Sequence, residues 1–228
     1  MLFLKKIENC FKHPLAKIIR LALNIKNKKG KNNHVYIIDK NGKKHKANFY
    51  QFILVEFSGE NNIIEICESS VSKFKNSIFY INGNNNYVKF GENARGLHNI
   101  EVNIRGDNSK LITGSELYCG KVNFYIYGDS SVIIGDKCMF SFDVYIWATD
   151  GHKIYDKDKN LINQNKDVKI GNHVWICRGA TMLKGSGIGD ECVLGNSSML
   201  TKDYSNYTHC ILAGNTAKIV KEDIIWEE

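Results

Sequence analysis

Residues 170–205 read IGNHVW ICRGAT MLKGSG IGDECV LGNSSM LTKDYS, and this stretch repeats every six residues. A large apolar residue opens every hexad: Ile170, Ile176, Met182, Ile188, Leu194 and Leu200. The next position is small in every hexad except the third, which has Leu183. Compact side chains stand four positions after the first five apolar residues: Val174, Ala180, Ser186, Cys192 and Ser198. Neither a helix nor an alternating strand has a period of six, so the repeat predicts short parallel strands that turn corners and stack as a β-helix.

A looser repeat precedes the strict one. Short β-rich segments follow glycines that stand 24, 23 and 22 residues apart: Gly59, Gly83, Gly106 and Gly128. These intervals predict longer, irregular coils of the same solenoid over residues 32–133, because their corner loops bulge. The strict hexads start at Ile134, break at 148–168 and resume at Ile170. We therefore expect residues 134–228 to form a regular β-helix with a C-terminal tail, interrupted by one protruding loop.

The N-terminal segment follows a different period. Apolar residues between positions 2 and 26 recur near every 3.6 residues, and Pro14 divides the segment, which predicts two short helices. The whole chain is thus expected to be an all-β solenoid with a helical arm over residues 1–31. Such an arm could cap the open end of the solenoid. It could also lie on an anionic membrane surface through residues 1–28, because it is basic and amphipathic.

This arm accounts for the positive charge of the chain. Residues 1–31 contain nine Lys or Arg and one Glu, whereas the remaining chain has 22 basic and 23 acidic residues. The body therefore gives no sign of nucleic-acid binding, although the formal net charge is +7. No uncharged segment approaches the roughly 20 residues that a membrane span needs. No secretory cleavage site follows an apolar core, so we expect no export signal.

The cysteines indicate a reducing compartment. There are seven, their spacing is irregular, and no C-x-x-C motif occurs. Three of them, Cys138, Cys177 and Cys192, stand where the hexad requires a small buried residue. We expect free thiols that mostly fill the core, and hence a cytoplasmic protein.

Two motifs connect the repeat to a known family. The loop reads T-D-G-H-x-I-Y-D at 149–156, and V-x-I-G-x-x-V-W-I follows at 168–176. We call the repeated pattern [LIV]-[small]-x-x-[STAVC]-x the ladder. Together with this ladder, the two motifs resemble the hexapeptide-repeat acyltransferases, and in particular bacterial O-acetyltransferases that act on capsules, lipopolysaccharide and sialic acids. The resemblance implies a left-handed parallel β-helix with three hexads per turn. It also implies acetyl-CoA as co-substrate, no metal, a sugar or polysaccharide acceptor, and a homotrimer with active sites between adjacent prisms.

The same resemblance assigns roles to residues of the loop. His152 matches the general base, which removes the proton from the acceptor hydroxyl as its oxygen attacks the thioester directly. Asp150 could orient His152 or bind the acceptor, or could simply make the turn with Gly151. Tyr155 is a further candidate for acceptor binding. Trp175 matches a tryptophan that lines the family's active site, although an outward aromatic residue there could equally pack against the loop or a neighbouring subunit.

A coenzyme A signature follows the loop. Residues 194–203 (LGNSSMLTKD) and 213–221 (AGNTAKIVK) resemble the segments with which the family holds this molecule. The residues that match cofactor-binding positions are Arg178, Gly179, Ala180, Asn196, Ser198, Thr201, Lys202, Lys218 and Lys221. Lys218 and Lys221 are expected near the phosphates, where charge-assisted hydrogen bonds suit lysine. The sequence departs from the family pattern in three places, since Thr216 replaces a proline, Asn196 replaces an alanine, and Ser186-Gly187 stands where a valine-type residue is common.

Other functions compatible with a β-helix stay open at this point. Some hexapeptide β-helices bind zinc through three histidines and hydrate carbon dioxide, and the candidates here are His152, His173 and His209. A non-enzymatic scaffold or binding module is also possible, because a fold does not define a function. Among acetyltransferases, the acceptor could be an antibiotic or an amino sugar, although no nucleotide-binding domain is evident at residues 1–60.

Overall fold

The computed structural model describes residues 30–47 and 53–228, and these residues form a three-sided solenoid. Each turn of the chain contributes one short strand to each of three parallel sheets, which we call sheets A, B and C. The helical arm predicted over residues 1–31, with its possible membrane contact, lies almost entirely outside the described residues.

The strands are numbered in chain order. Sheet A holds seven of the described strands: β3 Ile53–Ser58, β6 Ser77–Asn82, β9 Ile100–Arg105, β12 Val122–Tyr127, β15 Val144–Trp147, β18 Thr181–Met182 and β21 Met199–Leu200. Sheet B holds nine: β2 Lys44–Lys46, β1 His34–Ile38, β4 Ile63–Cys67, β7 Tyr87–Phe90, β10 Lys110–Thr113, β13 Ser131–Ile134, β16 Val168–Ile170, β19 Gly187–Ile188 and β22 Asp203–Tyr204. Sheet C holds eight: β5 Phe74–Lys75, β8 Gly96–His98, β11 Tyr118–Cys119, β14 Met139–Phe140, β17 Trp175–Ile176, β20 Val193–Leu194, β23 Ile211–Ala213 and β24 Lys218–Lys221. One short helix, α1 Glu68–Val71, follows β4.

The coils become shorter toward the C-terminus, as the two repeat lengths predict. Ile63 pairs with Tyr87, which is 24 positions further on, whereas Ile170 pairs with Ile188 after only 18. Between Tyr145 and its partner Thr181 the offset is 36 positions. The extra 18 positions belong to the protruding loop, which leaves the corner between sheets A and B after Trp147 and returns at β16.

The apolar ladder fills the interior of the prism. All six residues that open the hexads are buried, with exposed fractions between 0% and 4%. The five compact residues four positions later are buried as well, at 0–2%. The wider N-terminal coils are filled by larger side chains, and the rings of Phe74 and Phe90 pack edge to face with centroids 5.0 Å apart. The hexad pattern therefore correctly predicts which side chains point into the prism.

The four irregularly spaced glycines stack at the corner between sheets A and B. Gly59, Gly83, Gly106 and Gly128 all have positive φ angles. A Cβ built on Gly83 would lie 1.9 Å from the carbonyl oxygen of Gly106 in the next coil. Backbones this close leave no room for any side chain, so the corner requires glycine.

Asparagines beside this stack satisfy the backbone of the same corner. Asn62 and Asn86 are 0% and 2% exposed. The side-chain amide of Asn86 donates to the Gly106 carbonyl at 2.9 Å, while its Oδ1 accepts the amide of Ser109 at 2.8 Å. Each buried side chain thus bridges adjacent coils and pairs with backbone groups of the corner.

Both ends of the described solenoid have an antiparallel strand that the sequence did not predict. β2 pairs with β1, and β24 pairs with β23. After β24 the C-terminal tail folds back over sheet C, where Trp226 stacks on His173 with ring centroids 4.0 Å apart. The Trp226 indole donates to the His173 carbonyl at 3.1 Å, and Glu228 pairs with Arg95. The two antiparallel strands cover the outermost parallel strands of sheets B and C, as the ends of a solenoid require.

Candidate active site

The protruding loop is an ordered hairpin. Tyr155 and Leu161 form an antiparallel bridge, and the amide of Ile162 donates to the carbonyl of Ile154 at 3.0 Å. At the tip, one carboxylate oxygen of Asp156 accepts the amides of Asp158 and Asn160 at 2.9 Å each. The loop therefore has its own hydrogen-bonded structure and can present side chains in defined positions.

Lys184 holds the base of this hairpin. It lies at the same corner one coil later, and its side chain is only 16% exposed. Its ammonium group contacts the Asp150 carboxylate at 2.5 Å and donates to the carbonyls of Asn163 and Gln164 at 3.0 Å each. One partly buried cation thus connects the outgoing and returning arms of the loop.

Asn163 completes the connection between the arms. Its side-chain amide donates to the Asp150 carboxylate at 2.9 Å and to the backbone carbonyl of His152 at 2.8 Å. Burial raises the pKa of Asp150, but the hydrogen bonds from Lys184 and Asn163 outweigh it, and the pKa lies below its usual value. The Asp150 carboxylate is therefore ionised at neutral pH and fixed in place.

The structure exposes the predicted base, His152, on the outgoing arm of the hairpin. Within residues 30–47 and 53–228 its imidazole forms no hydrogen bond, so it is accessible to a substrate. The carboxylate of Asp150 is directed to Lys184 and Asn163 instead of the imidazole. Asp150 contacts the segment that positions His152, and its direct role toward the imidazole or an acceptor stays a prediction. Tyr155 is 52% exposed on the same arm.

Trp175 lies on a different side of the prism from His152. It belongs to β17 of sheet C, and this sheet is opposite the corner from which the loop emerges. Its ring packs near Trp226 with centroids 6.0 Å apart, in an apolar cluster with Cys177 and Val193. The two predicted active-site residues therefore do not meet within one chain.

The predicted coenzyme A residues occupy two neighbouring corners and the last strand. Arg178, Gly179 and Asn196 lie where the chain passes from sheet C to sheet A, while Thr201 and Lys202 lie at the corner between sheets A and B. The Arg178 side chain is 72% exposed, with one guanidinium nitrogen 3.5 Å from Asp143. Gly179 has φ +71°, and a Cβ there would lie 3.1 Å from the Ser197 hydroxyl.

Lys218 and Lys221 are exposed on β24. These two lysines and the exposed Lys202 can approach a phosphate group.

Ala180 and Ser198 have no exposed side chain to offer a ligand. Their exposed fractions are 0% and 2%, and they face the interior of the prism. Their amides donate to Cys177 and Gly195 within the corner, at 3.2 Å each. They keep the corner narrow, and their part in binding coenzyme A stays a prediction.

The thiols are not arranged for nucleophilic catalysis. All six cysteines of the described ranges are free and buried, as the sequence predicts: Cys67, Cys119, Cys138, Cys177, Cys192 and Cys210. Burial raises the pKa of Cys177 to about 11 and that of Cys138 to about 12. A buried thiol with a raised pKa is protonated at neutral pH and unreactive.

The three histidines of a zinc enzyme are not brought together. His173 and His209 share the corner between sheets B and C, but they lie two coils apart. His152 lies at another corner. Among the described residues, no group of three His, Cys, Asp or Glu side chains is placed to hold a metal ion.

Lys184 and Asn163 are the site residues that sequence reasoning missed. One signal was available, because Leu183 is the single exception in the small-residue positions of the ladder and stands next to Lys184. The repeat length places this exception one coil after the loop. The contact itself depends on how the two loop arms fold, which the repeat does not specify.

We expect Lys184→Met to impair catalysis more than folding. The substitution keeps the apolar stem but leaves Asp150 and two loop carbonyls without their shared partner, so the hairpin should shift. A displacement of about 1 Å at a catalytic group can lower the rate roughly 100-fold. Steady-state kinetics should show a fall in kcat with a nearly unchanged KM for acetyl-CoA, and Lys184→Arg should restore part of it. Lys157→Met at the hairpin tip is the matched control, and equal kinetics for the two Met variants would contradict this role.

Comparison with known proteins identifies relatives that are acetyltransferases. The chain is 33% identical over 190 residues to a polysialic acid O-acetyltransferase of Neisseria meningitidis, covering 74% of this chain and 86% of that protein. It is 36% identical over 146 residues to a polysialic acid O-acetyltransferase of Escherichia coli O1:K1, covering 61% of this chain and 44% of the longer relative. The chain thus spans less than half the length of that relative. Compared with models of known protein families, the chain matches none.

A solved structure supports the same assignment. The crystal structure of the polySia-specific acetyltransferase NeuO superposes with a TM-score of 0.67 at 29% identity, covering 87% of this chain and 86% of that one. The predicted left-handed parallel β-helix is confirmed by this likeness and by the three parallel sheets. The chain therefore belongs to the hexapeptide-repeat acyltransferases, and within them it is similar to polysialic acid O-acetyltransferases.

Proposed function

We propose that this protein transfers the acetyl group of acetyl-CoA to a hydroxyl of a sialic acid polysaccharide. The proposal rests on the hairpin at the one long break of the ladder. Lys184 and Asn163 hold the two arms of this hairpin together, and His152 is exposed on the outgoing arm. The names of the two polysialic acid relatives support the choice of acceptor. The family uses acetyl-CoA, and the exposed cations Arg178, Lys202 and Lys218 suit its phosphates.

The reaction needs one proton acceptor and no covalent enzyme intermediate. As the acceptor hydroxyl oxygen attacks the thioester carbonyl, His152 takes the hydroxyl proton. The new C–O bond forms, the C–S bond breaks, and the imidazolium returns the proton to the leaving thiolate. The products are an O-acetyl ester and the free thiol of coenzyme A. Because every cysteine described is buried, direct transfer within a ternary complex is the simplest course.

A homotrimer would complete the site. His152 and Trp175 lie on opposite sides of one prism, so they can share a site only if adjacent chains supply one each. The hairpin also carries three exposed apolar side chains, Ile154, Tyr155 and Ile162, at 51–60% exposure. Apolar side chains grouped on a projecting loop are typical of a surface that another chain covers.

The location is proposed from composition. Free buried thiols suit the cytoplasm, and the basic residues 1–28 suit peripheral contact with the inner membrane surface. Among the described residues, no helix is long and apolar enough to cross a membrane. Co-sedimentation with anionic vesicles, with and without residues 1–28, would test the membrane contact.

A thiol-release assay tests the proposed function. With acetyl-CoA as donor, we expect kcat/KM to be highest for a sialic acid polymer among a panel that includes a galactoside and chloramphenicol. Esterification should add one acetyl group per thiol released, as mass spectrometry of the digested polymer can verify. A higher kcat/KM for chloramphenicol would instead make this chain an antibiotic acetyltransferase. Absence of transfer to every sugar in the panel would refute the proposal.

A further inference from the structure

The outward face of sheet A contains a polar groove away from the loop. Nine residues of β3, β6 and β9 line about 490 Å³ of open space: Glu56, Phe57, Ser58, Tyr80, Ile81, Asn82, Asn103, Ile104 and Arg105. Phe57, Ile81 and Ile104 are buried and form its floor, while the polar side chains of the alternate positions form its walls. The groove is thus built from regular strands.

A row of side chains leads from this groove to the loop. The strand register aligns Glu56 with Tyr80, Tyr80 with Asn103, Asn103 with Tyr125, and Tyr125 with Trp147. Neighbouring strands are about 4.8 Å apart, so Tyr80 and Trp147 are separated by roughly 14 Å. Trp147 is the last residue of β15, and the loop with His152 begins at the next position.

This row is aromatic where it approaches the loop. The rings of Tyr125 and Trp147 stack with centroids 3.9 Å apart. Both side chains are partly exposed, so a sugar can reach them. Tyr80, at 36% exposure, offers a less covered ring beside the groove. Tyrosine and tryptophan combine an apolar surface with a hydrogen-bonding edge at little entropic cost.

Arg105 supplies the positive charge of the groove. Its guanidinium lies over the ring of Tyr127, 5.3 Å from the centroid, and its side chain is exposed. Within the described part of the chain, no carboxylate lies within salt-bridge distance of it. Glu56 and Asn82 provide hydrogen-bond acceptors nearby. A single unpaired guanidinium among neutral and acidic groups suits an isolated carboxylate better than a densely charged phosphate chain.

We infer that this groove and the row that follows it bind the part of the acceptor polysaccharide that is distant from the acetylated residue. A sialic acid polymer has one carboxylate per sugar, for Arg105, and hydroxyls for the tyrosine, asparagine and glutamate side chains. The chain would run across the strands of sheet A, from Arg105 past Tyr125 and Trp147 to His152. The inference rests on the proposed function and extends it, because it makes the enzyme select long acceptors.

Kinetics with acceptors of two lengths test this inference. We expect Arg105→Ala and Tyr80→Ala each to raise KM for a long sialic acid polymer about 10-fold, which is the loss expected for one charged hydrogen bond or one aromatic contact. The KM for acetyl-CoA and the rate with the methyl glycoside of a single sialic acid should not change. Lys110→Ala, in the same coil but on sheet B, is the matched control.

A binding measurement without acetyl-CoA separates this inference from the proposed function. The wild-type chain should bind fluorescent sialic acid polymer about 10-fold more tightly than the Arg105 and Tyr80 variants. If the wild type acetylates no sugar but this binding difference is present, the proposed function is refuted while the groove is supported as a polysaccharide-binding site. Equal polymer affinity of wild type and variants, or an equal loss of rate with both acceptors, would overturn the inference. A variant that instead changed only the oligomeric state in sedimentation would assign the groove to a second copy of the chain, which also overturns it.

Discussion

His152→Ala should lower kcat for acetyl transfer by about 10²–10⁴-fold, the contribution expected of a positioned general base. The physical reason is that a sugar hydroxyl is a weak nucleophile until its proton is removed, and the exposed imidazole is the only histidine on the hairpin. Affinity for coenzyme A should change little, because the predicted cofactor residues lie on the prism. Thiol release measures the first quantity, and protection against thermal unfolding by coenzyme A measures the second.

The neighbouring substitution Lys153→Ala is the control for this experiment. Lys153 is exposed on the same arm and contributes no hydrogen bond or ion pair to the described residues, so its removal should leave kcat within about twofold. Circular dichroism of both variants should match that of the wild type, since the hairpin is held by Lys184 and Asn163. Full activity of His152→Ala would exclude the base mechanism, whatever the acceptor.

Gly83→Ala should destabilise the solenoid more than any single surface substitution. Gly83 has φ +129°, and a Cβ there would lie 1.9 Å from the backbone oxygen of Gly106. The backbone conformation costs about 1–3 kcal/mol for a residue with a side chain. Separating the two coils costs a further amount of about 1–3 kcal/mol, as at other overpacked positions. We therefore expect the free energy of unfolding to fall by about 2–6 kcal/mol, with a lower urea midpoint.

Gly42→Ala separates these two costs. Gly42 also has a positive φ, +76°, but a Cβ there would meet nothing within 4 Å. We therefore expect Gly42→Ala to lower the free energy of unfolding only by the backbone contribution, about 1–2 kcal/mol. If Gly83→Ala unfolded at the same urea concentration as Gly42→Ala, the close approach of the coils at this corner would not contribute to stability.

The sequence predicted the inside of the prism better than its surface. Ile176, Leu194 and Leu200 are fully buried because a period of six returns each side chain to the interior of a three-sided coil. The glycine intervals likewise predicted coils longer than 18 residues, and the structure shows that Gly59, Gly83 and Gly106 stack at one corner of these coils. A local repeat can encode these features because every coil makes the same contacts with its neighbours.

The site required contacts that no local pattern specifies. The loop was recognised as a break in the ladder with a histidine, but its hairpin and the contact of Lys184 with both arms follow from the fold of the loop itself. In the same way, the stacking of Trp226 on His173 joins residues that are 53 positions apart. Ala180 and Ser198 matched cofactor positions in sequence, yet their side chains face the interior.

The sequence by itself therefore determined the coil, its corners and the position of the protruding loop, because periodicity decides which side chains are buried. Only the tertiary structure decided which groups meet across coils: Asp150 with Lys184, Trp226 with Trp175, and Arg105 with Tyr127. It also placed His152 and Trp175 on opposite sides of the prism. The reason is geometric, since contacts between coils depend on the exact number of residues in each turn and loop, which a repeat of inward-facing residues leaves free.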